Sequence, residues 1–140
     1  MHKKDFITER DKDFIKVYYD TLALLKGERP CYRYIYLSAI HSPAKRFYVS
    51  EEAAIRNIRR LEKGKRLDLS DENLLMYIEI HRKYKKILAR HTLPKIEAIR
   101  QVIYSPAPRF YFSVTTALRI ISKSRTYEPR PDHRREPQKA

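Results

Sequence analysis

Arg56, Arg60 and Lys63 stand four and seven residues apart with Arg59 beside them, and Arg119 and Lys123 repeat the first interval further along the chain. On a helix such spacings share a face, so each set forms a basic stripe. A basic stripe can neutralise phosphate oxygens or donate to base edges, which is the chemistry of nucleic-acid contact. A solvated polar face is the plainer reading of the same pattern, yet few acids balance the second stripe. Glu51 and Glu52 precede the first stripe and would repel a polyanion; Val114 and Thr115 hold the matching places before the second. The second stripe, with Thr115, is therefore the better candidate for contact. Arg46 and Arg109 each stand directly before a Phe-Tyr pair. A guanidinium there could clamp a phosphate with help from Tyr48 and Tyr111. It could equally bond carbonyls left open at the end of a helix while Phe47 and Phe110 plug the core.

Other chemistry finds little support. His2, His41, His81, His91 and His133 show no metal-ligand spacing such as HExxH. Cys31 is the only cysteine, so neither an intrachain disulfide nor a thiolate metal site is available. Gly27 and Gly64 are the only glycines, too few for a phosphate-cradling loop, and no serine sits in a nucleophile elbow. The reading is a non-enzymatic protein with no cofactor and no metal. Tyr32, Tyr34 and Tyr36 form a cluster that could stack on unpaired bases or serve a protein interface.

The elements that must carry these residues are organised by a repeat. Ser42-Pro-Ala-Lys-Arg-Phe-Tyr-Val-Ser50 returns 63 residues later as Ser105-Pro-Ala-Pro-Arg-Phe-Tyr-Phe-Ser113, and ten of the twenty positions 42–61 and 105–124 are identical. Self-similarity at a fixed period marks a duplicated structural unit. Upstream, Phe14, Ile15, Val17, Leu24 and Leu25 fall on Tyr77, Ile78, Ile80, Ile87 and Leu88. A residue kept in both copies is needed by the unit; one that differs belongs to a single copy's task.

Each copy reads as three helices. The first spans Thr8 to Lys26, with Thr8 as N-cap, Gly27 beyond its end and a stripe of Phe14, Val17, Tyr18, Thr21, Leu24 and Leu25. Its counterpart runs from the cap Ser70 to Arg90 with Leu74, Tyr77, Ile78, His81, Tyr84 and Leu88 inward. Cys31 to Leu37 has strand propensity, but the matching Pro94–Ile103, with Pro94 at N1, has helical spacing and decides for helix in both. Ser50 and Ser113 cap the third helices, which bury Ala54, Ile55, Ile58 and Leu61, and Ala117, Leu118 and Ile121. The expected fold is all-α, a tandem duplication of a three-helix unit packed as one compact domain: residues 1–64, residues 65–124, and a disordered basic tail, 125–140.

The formal net charge is +14 over 140 residues, with +6 on residues 1–69, +6 on residues 70–124 and +2 on the last sixteen. Such self-repulsion points to an acidic partner, nucleic acid first. The opening residues MHKKDFITER hold no apolar signal region, and the run from Leu74 to Ile78 is far shorter than the roughly 20 residues that span a bilayer. A soluble, intracellular, cytoplasmic protein without membrane contact is expected.

Long helix, short helix, turn and third helix resembles the trihelical helix-turn-helix class, in which the third helix enters the major groove and the second crosses the backbone. The connection Ser42–Val49 is longer than the three or four residues usual there. The Ser-Pro-Ala-x-Arg-Phe-Tyr phrase itself looks like one found in small uncharacterised proteins of gut bacteria and their phages, and implies no function. Together the residues and the resemblance imply a nucleic-acid-binding regulator or architectural protein, for double-stranded DNA first, with RNA open because the charge does not distinguish them. The alternative is a structural or adaptor protein, such as a phage component, whose basic face meets packaged DNA or an acidic protein partner.

Overall fold

The computed structural model of the protein describes residues 3–25 and 31–127. Six helices follow in order: α1 (Lys3–Leu24), α2 (Tyr32–Ile40), α3 (Glu51–Glu62), α4 (Asp71–Arg90), α5 (Lys95–Ile103) and α6 (Val114–Tyr127). The fold is all-α; among the described residues the one extended pairing is an isolated antiparallel bridge between Ala44 and Ala107. The short helices α2 and α5 coincide at the 63-residue offset, nine residues each. Burial of Ile35, Tyr36, Ala39 and Ile40 on one face of α2 outweighs the strand propensity of its tyrosines and β-branched residues.

Helix ends follow local chemistry, with two departures. Ser50 accepts from the Ala53 N–H at 3.1 Å, Ser70 from Asn73 at 3.4 Å and Ser113 from Thr116 at 3.3 Å, as N-caps do. Thr8 caps nothing: α1, described from Lys3, runs through it, with Phe14 and Tyr18 further along buried in the core. Pro94 sits at the N-cap, one residue before N1. Gly27 and residues 128–140 lie outside the described residues, while 125–127 of the expected tail belong to α6. Gly64 ends α3 at φ +74°, its N–H donating to Leu61 O while the Lys65 N–H reaches Arg60 O, a Schellman closure.

One core runs through the molecule, with Phe14, Tyr18, Ile40, Phe47, Ile58, Ile80, Tyr84, Ile99, Ile103, Phe110 and Ile121 almost wholly buried. The expected stripes are displaced in places. Leu24 is 84% exposed, and Ile78 and Leu118 about half exposed, whereas Met76, Ile80 and Ile120 are buried. Those phases follow from which helices meet. Helix α3 packs on α4 and α5, and α6 packs on α1 and α2; the backbone of α3 does not approach that of α1 or α2, nor the backbone of α6 that of α4 or α5. Each copy thus lends its third helix to the other. This differs from the helix-turn-helix resemblance, in which helices two and three of one copy pack together. The long connection is the cause, for it carries the chain across to the other half instead of turning it back.

The crossing is held by matched pairs. Ala44 and Ala107 exchange N–H···O bonds of 2.9 and 3.0 Å; the Phe47 N–H donates to Ile103 O at 3.0 Å and the Phe110 N–H to Ile40 O at 2.8 Å. Tyr48 stacks on Phe110 and Phe47 on Tyr111, with centroids 5.9 and 6.1 Å apart. Each contact maps onto its partner under the 63-residue offset, so the halves meet about a pseudo-two-fold axis at Ala44 and Ala107.

Candidate functional site

Arg46 and Arg109 belong to this crossing. Arg46 is 5% exposed: its Nε donates to Phe47 O at 2.9 Å, Nη2 to Val49 O at 2.8 Å, and Nη1 lies 3.4 Å from the Glu9 carboxylate. Its guanidinium covers the Tyr104 ring at 4.4 Å. Arg109 repeats the pattern with Phe110 O at 2.9 Å and Glu72 at 2.8 Å. The carbonyls they bond are those of the crossing, not of the end of helix two. With these donors committed to internal oxygens, both arginines brace the fold, and the phosphate-clamp role does not suit them. Phe47 and Phe110 are core plugs, each 1% exposed.

The stripe on α3 is divided. Arg56 lines a depression shared with Arg10, Asn73 and Tyr77. Arg60 is exposed beside it. Arg59 and Lys63, one turn apart, instead face α4, where His81 and Lys85 are also one turn apart. Between them and the start of α5 lies an open groove of about 790 Å³. Lys95 enters it from α5, and Leu61, Ile96 and Ile99 supply its apolar part. The Gly64 closure sets where α3 stops and so where Lys63 stands.

The electrostatics of the groove are one-sided. Glu62 is the one acid lining it, and the Tyr84 hydroxyl donates to that carboxylate at 2.8 Å. Among the described residues, the side chains of Arg59, Lys63, Lys85 and Lys95 make no hydrogen bond or ion pair, whereas Arg10, Lys16, Arg82 and Arg100 are each matched with an acid. Burial, and then the charge of Lys85, hold the His81 imidazole below its ordinary range, with Glu62 opposing weakly. His81 is thus a flat neutral ring near pH 7, stacked on Tyr84 with centroids 6.1 Å apart. Burial and the bond to Glu62 push the Tyr84 hydroxyl up to about 12, so it stays protonated and donates.

Thr115, Arg119 and Lys123 are exposed on α6, which does not touch α3. The two basic stripes therefore do not join into one face by direct packing. Sequence reasoning missed Lys85 and Lys95; of the stripe residues His81 and Tyr84, Tyr84 is buried as expected, while His81 is partly exposed to the groove. The four-residue interval from His81 to Lys85 was visible; that α3 would lie against α4 was not. Among the described residues no three His, Cys, Asp or Glu gather to hold a metal ion, and no helix is long and apolar enough to cross a membrane. Comparison with protein-family models, curated proteins and solved structures found no match.

Proposed function

We propose that the protein is a non-enzymatic nucleic-acid-binding protein, a small regulator or architectural protein that holds a phosphate backbone at the α3–α4–α5 groove. The observation that carries this reading is the convergence of Arg59, Lys63, Lys85 and Lys95, whose side chains make no hydrogen bond or ion pair among the described residues. Four like charges gathered around a single acid, Glu62, destabilise the folded chain unless a polyanion meets them. Lysine and arginine on three helices can follow successive phosphates, and nothing in the reading requires catalysis.

Each phosphate contact contributes about −0.9 to the slope of log K against log salt for duplex DNA. Replacing Lys85 and Lys95 together with Ala should flatten that slope by up to about 2 units. Replacing Arg119 and Lys123 should leave it unchanged, and both double variants should stay folded, since exposed substitutions usually fall within about ±0.5 kcal/mol. A folded Lys85/Lys95 variant with an unaltered slope would remove the groove from the contact surface; a flattened slope in the α6 variant would move the contact there. If the unmodified protein has no salt-sensitive affinity for DNA or RNA, its basic surface serves an acidic protein and the adaptor reading stands instead.

A further inference from the structure

The groove is more than a row of cations. Leu61 and Ile96 lie beneath its charged rim, Ile96 36% exposed, and the almost wholly buried Ile99 completes the floor. A closed duplex offers phosphates and sugars to such a surface and would leave this floor facing water. The groove's volume, about 790 Å³, falls in the range of sites that enclose a small molecule.

The other end of the molecule indicates what belongs on the floor. The counterparts of His81 and Ile99 under the 63-residue offset are Tyr18 and Tyr36. Those two rings stack with centroids 5.0 Å apart and planes 28° apart. At the groove the first ring of that pair remains, as His81 backed by Tyr84, while the second is replaced by an aliphatic side chain. The smaller pair leaves open space beside His81 that a flat ring fits, and the surrounding cations favour one attached to phosphate.

We infer that the groove takes an unpaired nucleotide of a single strand, its base against His81 and the Leu61–Ile96–Ile99 floor and its flanking phosphates on Arg59, Lys63, Lys85 and Lys95. This rests on the nucleic-acid reading above and narrows it from duplex to single strand. The base contact is sequence-tolerant, because every base has a flat face. The imidazole is suited to it by being uncharged near neutral pH, with Lys85 and Glu62 acting on it most directly and Arg59, Lys63 and Lys95 lining the same groove.

The test compares three fluorescent probes of equal length, about 12 nucleotides, a span within the usual site sizes of single-strand binders. One is an oligothymidine strand, one an abasic strand with the same phosphates, and one a closed duplex. The oligothymidine strand should bind about tenfold or more tighter than either of the others. Ile96→Ser and, separately, His81→Asn should erase most of that advantage without changing the salt slope; circular dichroism confirms that each is folded, and either one suffices. Equal binding of the thymidine and abasic strands, or a duplex held as tightly as the single strand, overturns the inference and leaves phosphate binding standing. Absence of salt-dependent binding to all three probes overturns the parent reading and this one together.

Discussion

At one end of the molecule Tyr18 stacks on Tyr36; at the other the same places in the repeat hold His81 and Ile99, and a groove lies open. Lys85 and Lys95 stand where the first copy has Leu22 and Tyr32, and Arg59 and Lys63 where the second has Ser122 and Thr126. Glu62, which accepts from Tyr84, corresponds to Arg125, which bonds Tyr19. Between these ends, at the axis, nearly everything is kept: the alanine pair, the arginines, the Phe-Tyr rings and their acid partners Glu9 and Glu72. The contrast separates two demands on one sequence. The crossing must satisfy both halves at once and cannot drift in one copy alone, while each end answers to a single copy and has diverged in charge and shape.

Breaking the axis should cost most. Phe47→Ala and Phe110→Ala should each destabilise the protein by about 3–5 kcal/mol in denaturant titrations, because each empties a fully buried ring site. A loss below about 1 kcal/mol for either would show that the halves are not equivalent at their centre. Arg46→Ala comes next, at about 1–3 kcal/mol, since it strands two buried carbonyl acceptors. Arg109→Ala should lose less, with one such carbonyl and a side chain 20% exposed against 6% for Arg46. Reversal of that order would sink the account of the two braces.

At the ends the effects shrink. Gly64→Ala should destabilise by about 1 kcal/mol, the strain of a left-handed conformation in an L residue, although nothing within 4 Å blocks the added carbon. The smallest effect concerns pH. His81 titrates below its ordinary 6.5 in the folded chain, so below that pH the unfolded chain binds more protons. Stability contributed by His81 is therefore present above pH 6.5 and declines as pH falls from 6.5 to the folded value, after which it stops falling. The depressed carboxyls of Glu51 and Glu79 act in the same direction only below their ordinary 4.5. His81→Gln should remove the decline that lies between pH 6.5 and pH 4.5 in melting temperatures measured across that range, and an unchanged profile would show that burial of His81 carries no such cost.

Much of this architecture could be read from the residues. Periodicity, caps and the repeat located all six helices, and the copy with clear helical spacing decided for the copy rich in tyrosine. Retention of Phe47/Phe110 pointed to a core role, which burial bears out; for Arg46/Arg109 the sequence leaves bracing and phosphate contact both open. The groove was not legible, because its members come from three helices whose adjacency depends on where the crossing sends α3. Intervals along one helix describe a face; they do not say which other helix that face will meet. The displacement of Leu24, Ile78 and Leu118 from the core has the same origin.

The exchanged third helices also bear on the order of synthesis. When the first three helices have left the ribosome, α3 has no surface to rest on, since α4 and α5 are still to be made, and α1 and α2 lack α6. Domains usually fold as units, the N-terminal one first during translation. Here the first half cannot finish ahead of the second: its core closes only when the last helix emerges. Long-range contacts of this kind slow folding, and they make the α6 segment the step on which the whole chain waits.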